Sequence, residues 1–385
     1  MGNKTAVSAV ACEDYNEKTV ELTMTKLIEQ IDGLDFVKPG MKVGIKLNLV
    51  SAMKPEEAAT THPELVKAIC RMIMDKGAEV VLGDSPGGPY ISAFLNSVYN
   101  ATGMTKVAEE TGARLNDDFG TKDVLFPEAT MIKKFTVTNW LTEVDAIINF
   151  SKLKTHGMMG MSAAVKNLFG TIPGTMKPEY HFRFPDADCF ADMLVDLNEY
   201  WKPSLNIVDA IIGMEGNGPT AGTPRKIGML LASRSPYNAD LVGCHLIGID
   251  PMDVPFMKRA HERELCGSSY KDVEVIGTIE DHVISDYKLL TAKASIRFGG
   301  TGRFSKVKGD IVGIFLKSKP RVKKAECIGC RKCEQICPAK AITMVENKPV
   351  IDRQKCIRCF CCQEFCPKGA MKVHRTWIAR ILTRG

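Results

Sequence analysis

The chain has 385 residues, of which 45% are apolar and 25% are charged, and its formal net charge at pH 7 is +6. These values exclude wholesale disorder and a fibrous protein, and the charge is too mild to indicate a nucleic-acid partner. No apolar run is long enough to span a membrane, and the N-terminus lacks the apolar core of a secretion signal. We therefore predict a cytoplasmic protein whose cysteines stay reduced unless a metal binds them.

Strand-like and helix-like segments alternate through the long N-terminal region. In chain order they are a strand (41–50), a helix after a Thr61 cap (62–77), a strand with a glycine-rich loop (78–88), a strand with a basic loop (144–157), a helix (161–170), a strand with a long loop (204–222) and a strand–turn–helix unit (226–250). This alternation is typical of a layered α/β domain with a largely parallel sheet.

We predict four segments from this pattern and from the composition that follows it. An α/β domain spans 1–315, a basic linker spans 316–324, a small α+β domain spans 322–372, and an amphipathic tail spans 373–385. The basic segment "KSKPRVKK" (317–324) is either a solvated linker or a patch that docks an acidic redox partner.

Polar residues follow several of the predicted strands of the large domain. Ligands of parallel sheets bind beyond the carboxyl ends of the strands, so these residues are expected to meet at one edge. The residues expected there are Lys46, Asn48, Gly83, Asp84, Ser85, Gly87, Gly88, Lys152, Lys154, Thr155, His156, Lys166, Asn167, Asp209, Glu215 and Asn217. With His181 of the following basic segment, the set of candidate site residues is Lys46, Asn48, Asp84, Ser85, Gly87, Lys154, His156, Lys166, Asn167, His181 and Asp209.

Lysine and histidine side chains in this glycine-punctuated setting favour a site for a carboxylate or a phosphate. Lys46, Lys154 and Lys166 are predicted to bind charge, His156 to move a proton, and Asp209 to orient a partner. The remaining residues of the set are predicted to contact a ligand or cofactor. A solvated loop with a capping histidine stays open as an alternative.

Other ligands are less well supported at this edge. "GDSPGG" (83–88) lacks the Lys-Ser/Thr ending of a phosphate-binding P-loop. A flavin needs no fingerprint and remains open, and so does an additional metal, although the candidate histidines and aspartates lack compact ligand spacing.

Nine of the fourteen cysteines lie between residues 327 and 366. Eight of them form two blocks of Cys-x2-Cys-x2-Cys-x3-Cys-Pro, 29 residues apart. This spacing predicts two 4Fe-4S clusters, each completed by the fourth cysteine of the other block. The expected ligand sets are Cys327, Cys330, Cys333 and Cys366 for the first cluster, and Cys356, Cys359, Cys362 and Cys337 for the second.

Zinc and disulfides are the alternatives for these cysteines. Zinc needs four ligands and tolerates looser spacing, and disulfides conflict with a reducing compartment. Cys361, inside a spacer of the second block, is expected to be a small packed thiol or a modestly exposed one, and a ligand role is kept as the alternative. Cys70, in the apolar pattern of a predicted helix, is expected to be a packed thiol.

The last sixty residues resemble the two-cluster bacterial ferredoxins. The segments "KLNLV…THPELV", "GDSPGG", "KLKTHGMMGMSAAVKNLFGTIPGTMKPEYH", "NIVDAIIGMEGNGPTAGTPR" and "YNADLVGCHLIGID" resemble the domain-of-unknown-function family 362 over roughly residues 1–300. This resemblance implies a ferredoxin-like tail, which members often carry. It implies no assigned activity, so it supplies no catalytic residue.

Together these features predict an iron-sulfur oxidoreductase that exchanges electrons with a small anionic substrate or cofactor in the α/β domain. One alternative is a non-catalytic electron-transfer subunit whose large domain docks a redox partner protein. Another gives the clusters a sensory or structural role beside non-redox chemistry. Nothing in the sequence indicates the oligomeric state.

Overall fold

The computed structural model describes residues 5–290 and 319–374, which form a large α/β domain and a small α+β domain. The strands are β1 (Val7–Ala11), β2 (Lys42–Lys46), β3 (Glu79–Gly83), β4 (Arg114–Leu115), β5 (Thr121–Leu125), β6 (Lys134–Thr138), β7 (Ala146–His156), β8 (Gly160–Ser162), β9 (Leu205–Glu215), β10 (Thr223–Ser233), β11 (Val275–Ile276), β12 (Lys319–Val322), β13 (Ile342–Val345), β14 (Lys348–Ile351) and β15 (Met371–His374). The helices are α1 (Glu17–Glu29), α2 (Pro63–Met74), α3 (Ser92–Ala101), α4 (Met104–Thr111), α5 (Ala164–Asn167), α6 (Lys177–Arg183), α7 (Ala187–Trp201), α8 (Pro236–Leu246), α9 (Pro255–Glu262), α10 (Lys332–Gln335) and α11 (Cys361–Glu364).

The large domain is built on a nine-stranded sheet with the order β11-β1-β10-β9-β7-β2-β3-β4, and β8 pairs with the end of β7. Strands β9, β7, β2, β3 and β4 run parallel, whereas β10 is antiparallel to both β9 and β1. The predicted layered α/β fold with a largely parallel sheet is therefore confirmed.

Helices cover both faces of this sheet. Residues of α1 to α4 join one buried apolar cluster, and residues of α5, α7, α8 and α9 join a second. The clusters lie on opposite faces, because adjacent residues of β10 join different ones, Leu230 the first and Leu231 the second. A strand that is covered on both sides must be apolar or fully hydrogen-bonded, and β7 is buried along its whole length.

Two local predictions were wrong. The predicted basic loop is instead the end of β7, because β8 and β9 pair with it as far as His156 and Lys154, respectively. Helix α2 is capped by His62, whose Nδ1 accepts the Glu64 N–H. The Thr61 hydroxyl is engaged elsewhere, since it donates to the Phe150 carbonyl at 2.9 Å.

The small domain contains both cysteine blocks. The segment between the blocks forms the hairpin of β13 and β14, and β12 pairs with β15 at the domain's edge. Residues Lys319–Val322 of the predicted linker are therefore a strand of this domain. Residues 316–318 and most of the predicted amphipathic tail lie outside the described residues.

A buried carboxylate holds the short helix α5, which carries two candidate site residues. Asp240 of α8 accepts hydrogen bonds from the N–H groups of Ala164 at 2.7 Å and Val165 at 3.0 Å. Burial raises the pKa of Asp240 to about 7, although both backbone donors act to lower it. This contact orients Lys166 and Asn167 toward the end of the sheet.

We expect Asp240→Asn to change how stability depends on pH. Because its pKa is raised in the folded chain, Asp240 holds a proton more tightly there than in the unfolded chain between about pH 4 and 7. Its contribution to the free energy of unfolding therefore falls as the pH rises through this range. Thermal unfolding of both proteins should be measured between about pH 5.5 and 7.5. As the pH rises, the wild type should lose stability relative to Asp240→Asn, because Asn does not titrate.

The companion variant Asp240→Ala separates the hydrogen bonds from the charge. It leaves two buried N–H groups without an acceptor, so the unfolding free energy should drop by about 1–3 kcal/mol even at low pH. If the difference in stability between the wild type and Asp240→Asn does not change with pH, the assignment of a raised pKa to Asp240 is wrong.

Candidate functional site

A cavity of about 810 Å³ lies where the carboxyl ends of the parallel strands meet the small domain. Nine of the sixteen residues expected at this edge line it, and so does His181. The nine are Lys46, Asn48, Asp84, Ser85, Gly87, Gly88, Lys154, Lys166 and Asn167. The seven that do not line it are Gly83, Lys152, Thr155, His156, Asp209, Glu215 and Asn217. The small domain supplies the opposite wall with Glu364, Phe365, Cys366, Lys368 and Lys372. The cavity is thus shared between the two domains.

Lys46 forms a buried ion pair at the base of this cavity. Its Nζ lies 2.9 Å from Asp84 Oδ1, and the other Asp84 oxygen accepts the Leu49 N–H at 2.8 Å. Burial lowers the pKa of Lys46, and Asp84 opposes that shift. A side chain at Gly170 would strike this pair, since a Cβ there would lie 2.5 Å from Lys46 Nζ. The pair is therefore enclosed and already neutralised.

Lys154 is buried without a carboxylate partner. Its Nζ donates to Asn48 Oδ1 at 2.7 Å and to the Ala59 carbonyl at 2.6 Å. Burial lowers its pKa well below the usual value, and neighbouring Lys166 and Lys152 lower it further. An ammonium group that is held by neutral oxygens alone favours a negatively charged ligand nearby.

Buried asparagines hold these lysines in place. Asn167 Oδ1 accepts from Asn48 Nδ2 at 2.8 Å and from Lys46 Nζ at 3.2 Å. Its amide group donates to Asn149 Oδ1 at 2.8 Å, and Asn149 in turn donates to Asn206 at 2.9 Å. The sheet therefore carries a continuous amide network from β9 to β2 beneath the cavity.

Two further lysines face the cavity. Lys166 Nζ lies 5.6 Å from the centre of the Phe169 ring, and burial lowers its pKa while Glu364 opposes the shift. Lys177 donates to the Ser85 carbonyl, and burial lowers its pKa to about 8. In the described part of the chain, neither ammonium group forms an ion pair within 4 Å. The cavity therefore holds more positive than negative charge.

His156 does not line the cavity but lies behind Glu364. Its Nδ1 accepts the N–H groups of Met158 at 3.1 Å and Met159 at 3.2 Å, so the ring proton is on Nε2. Nε2 lies 2.7 Å from Glu364 Oε1, but the contact lacks hydrogen-bond geometry, and neither atom has a hydrogen-bond partner among the described residues. Burial lowers the pKa of His156 to about 4, so the ring is neutral at pH 7.

Glu364 is a cavity residue that the sequence analysis missed. Burial alone would raise its pKa, but the neighbouring basic groups lower it below the usual value. Because His156 is neutral, we attribute this lowering to Lys166. The small domain thus contributes an ionised carboxylate to the wall of the lysine-lined cavity.

His181 lines the cavity beside the aromatic rings of the second apolar cluster. It stacks on Phe190 with the ring centres 4.4 Å apart, and its Nδ1 has no hydrogen-bond partner among the described residues. Burial lowers its pKa to about 3, so it is neutral at pH 7. A neutral imidazole in this position can exchange hydrogen bonds with a ligand but adds no charge.

Asp209, predicted to orient a partner, does not line the cavity and lies in a separate buried cluster. Its two oxygens accept from Lys152 Nζ at 2.8 Å and from the Tyr15 hydroxyl at 2.9 Å. Lys152 Nζ also donates to the Tyr15 oxygen at 2.8 Å, and Tyr15 stacks on His62. Lys152 is thereby paired within the core and is not available to a ligand.

Neutral contacts fix the small domain against the loop that follows β9. Gln363 Nε2 donates to the carbonyl oxygens of Asn217 at 2.9 Å and Gly218 at 2.8 Å. The Thr220 hydroxyl donates to the Glu364 carbonyl at 3.1 Å. On the other side, Phe365 packs so tightly on Gly87 that a Cβ there would lie 2.6 Å from the ring.

The eight predicted cluster ligands line two small cavities inside the small domain. One cavity is lined by Cys327, Cys330, Cys333 and Cys366, and the other by Cys337, Cys356, Cys359 and Cys362. The exchange of fourth cysteines predicted from the spacing is therefore reproduced in the placement of the side chains. Cys361 is almost fully buried and lines neither cavity.

These donor sets suit four-iron clusters rather than single ions. Among residues 5–290 and 319–374, no three histidine, cysteine or acidic side chains come close enough to hold one metal ion. A four-iron cluster instead spreads its thiolate ligands over four iron atoms. The described residues also contain no helix long and apolar enough to cross a membrane.

Comparisons with known proteins agree with this architecture. Residues 43–245 match the family model "Domain of unknown function (DUF362)", and residues 326–370 match the model of a 4Fe-4S dicluster domain. The thylakoid-associated protein sll1697 of Synechocystis sp. is 30% identical over 300 residues, which cover 76% of this chain and 90% of that protein.

Two solved structures are similar to part of this chain. The lactate racemase apoprotein from Thermoanaerobacterium thermosaccharolyticum matches with 13% identity and a TM-score of 0.41, over 63% of this chain and 56% of that one. A protein from Thermotoga maritima matches with 12% identity and a TM-score of 0.34, over 55% of this chain and 53% of that one. On the two sequence matches, the chain belongs to the DUF362 family and is an iron-sulfur protein with a C-terminal 4Fe-4S dicluster domain.

Proposed function

We propose that the chain is an oxidoreductase that binds a small organic anion in the cavity between its domains. The observation that carries this proposal is the position of Cys366. This predicted cluster ligand lines both the first cysteine cavity and the large lysine-lined cavity. A ligand in the large cavity would therefore lie beside a cluster-binding cysteine.

The cysteines of the two small cavities are the proposed ligands of the two 4Fe-4S clusters. The first set is Cys327, Cys330, Cys333 and Cys366, and the second is Cys356, Cys359, Cys362 and Cys337. Each cluster, when bound, takes up and releases single electrons. The remaining residues of the site bind the anion, exclude water from it and fix its position.

Lys154, Lys166 and Lys177 supply the positive charge that the anion neutralises. All three line the cavity, and burial lowers the pKa of each. An arriving negative charge would favour their protonated forms and would be bound in surroundings of low polarity. Asn48, Asn167 and the Lys46–Asp84 pair fix the positions of these groups.

His156 acts in this proposal through Glu364. Because its Nε2 lies 2.7 Å from Glu364 Oε1, it contacts that carboxylate at the cavity wall, and it does not line the cavity itself. We therefore reassign His156 from the proton donor predicted by the sequence to a positioning residue. His181 takes its place as the histidine that faces the ligand.

The assignment of the cluster ligands is tested by Cys330→Ala. Loss of one ligand should abolish one of the two cluster signals in electron paramagnetic resonance spectra of the reduced protein and lower bound iron by about half. Cys70→Ala is the control, since Cys70 is buried in α2 and should affect neither signal. If the two variants behave alike, the ligand assignment is wrong.

The anion site is tested by thermal shifts with inorganic phosphate and with mono- and dicarboxylates. An anion that stabilises the wild type should lose most of its effect in Lys154→Met and Lys166→Met, because the charge that binds it is gone. Each variant keeps the length of the side chain.

Lys152→Met is the matched control on the same strand. It should keep the anion effect, because Lys152 does not line the cavity. Its free energy of unfolding should fall by about 3–5 kcal/mol relative to the wild type, because Asp209 loses its buried partner. The Lys152 variant should therefore be less stable than the Lys154 variant. Equal anion effects in all three variants would contradict the proposed site.

The possible flavin is tested on the same protein. Purification without oxygen followed by acid release should show whether flavin accompanies the iron. Bound flavin would identify the ligand of the cavity as a cofactor. A protein without flavin and without any anion response would favour the alternative, in which the large domain only docks a redox partner.

A further inference from the structure

We propose that the small domain carries a docking site for an acidic electron-carrier protein beside the first cysteine cavity. The site consists of Ile328, Cys330, Arg331, Lys332 and Lys368, which we call the cluster face. All five residues line the cavity that contains Cys327, Cys333 and Cys366. The cluster face shares Lys332 and Lys368 with the rim of the anion cavity, whereas Ile328, Cys330 and Arg331 do not line that cavity. The proposal does not depend on which anion binds there.

The positive charge of the protein is concentrated in the small domain. Residues 319–374 contain thirteen lysines and arginines but five acidic residues, whereas residues 1–318 contain thirty-five basic and forty acidic residues. The net charge of +6 therefore originates in the cysteine-containing part of the chain and its C-terminal tail. Two clusters with thiolate ligands would offset part of this charge but would leave the surrounding surface basic.

This charge is not used to hold the two domains together. The basic residues of the small domain that form ion pairs do so with acids of the same domain, as in Lys323–Glu326, Arg331–Glu334 and Lys372–Glu326. Among the described residues, the close His156–Glu364 contact across the interface pairs a neutral histidine of the large domain with a carboxylate, not a cation, of the small domain. The exposed cations are therefore available to another molecule.

The cluster face has the layout of a transient protein interface. Ile328 is 61% exposed, and Cys330 beside it is also exposed. The Arg331 side chain is 62% exposed, and Lys332 and Lys368 are exposed as well. An apolar centre with a charged rim is typical of weak complexes that must form and separate quickly.

In the described residues the second cysteine cavity is more covered than the first, since none of its four cysteines is exposed and only Cys337 and Cys356 are half-buried. Cys359 and Cys362 are buried, and the covering residue Phe360 is buried as well. An electron carrier must bring its own redox group close to its partner's, so the exposed cysteine cavity is the one a carrier protein can approach. The complementary charge specifies an acidic surface on that carrier.

The test measures equilibrium binding of an oxidised acidic [2Fe-2S] ferredoxin to the full-length, cluster-containing protein by calorimetry. Wild-type binding should weaken about tenfold between low salt and about 0.3 M salt, because screening removes the charge attraction. Arg331→Glu should weaken binding about tenfold at low salt, and the difference should vanish at high salt. Ile328→Ser should weaken binding at both salt concentrations, because it removes apolar contact without changing the charge.

Lys106→Glu is the matched control. Lys106 is an exposed lysine with a helical acid neighbour, Glu110, as Arg331 has Glu334, but it lies on α4 of the large domain. It should change ferredoxin binding less than twofold. Bound iron and the absorbance spectrum are checked in each variant, and Ile328→Ser keeps the test valid if Arg331→Glu loses a cluster.

Three results would overturn the proposal. Ferredoxin binding that is insensitive to salt would remove the electrostatic basis. Equal weakening by Arg331→Glu and Lys106→Glu would show a general charge effect without a site. Binding to phosphatidylglycerol vesicles that Arg331→Glu abolishes, with ferredoxin binding unchanged, would assign the cluster face to a membrane surface instead.

Discussion

The site depends on positive charge that is buried without an equal amount of negative charge. Lys154 and Lys166 lie at the end of a sheet covered on both faces, where removing an ammonium group from water is unfavourable. Among the described cavity-lining residues, the carboxylates that act on the pKa values of these lysines are Asp84, which is already paired with Lys46, and Glu364, which comes from the small domain. Without the small domain, the positive charge of these lysines would be neutralised less. Packing of the small domain and binding of an anion therefore both reduce the same excess of positive charge. This links the cavity to the domain interface.

The topology explains why the lysines meet at one place. Strands β2, β3, β7 and β9 are parallel neighbours, so the residues at their carboxyl ends share one edge. The amide network of Asn48, Asn167, Asn149 and Asn206 runs across these strands and satisfies groups that a purely apolar core would leave unpaired. A rigid polar layer of this kind holds flexible lysine side chains in defined positions.

Much of this could be predicted from the sequence, because the signals are local. The alternation of strands and helices indicated the parallel sheet, and the cysteine spacing anticipated which four side chains line each small cavity. The strand-end rule placed Lys46, Lys154 and Lys166 at one edge. The sequence did not reveal contacts between residues that are far apart in the chain. Asp209 accepts a hydrogen bond from the Tyr15 hydroxyl, 194 positions earlier, and no periodic sequence pattern predicts such a contact.

Glu364 illustrates the same limit from the opposite side. In the sequence it lies in the spacer between two cysteines, where an acidic residue would ordinarily be expected to face the solvent. Its place in the site depends on the packing of α11 against the large domain, because the carboxylate then contacts His156, more than two hundred positions away.

The side chain of the neighbouring residue, Gln363, donates hydrogen bonds to backbone carbonyl groups of the loop after β9 and forms no ion pair there. Backbone contacts of this kind are insensitive to salt, so the interface between the domains can persist under conditions that release a partner held by charge. Two kinds of contact are therefore kept apart in this protein. Neutral hydrogen bonds hold its two domains together, and the exposed cations remain free to attract molecules that bind and dissociate.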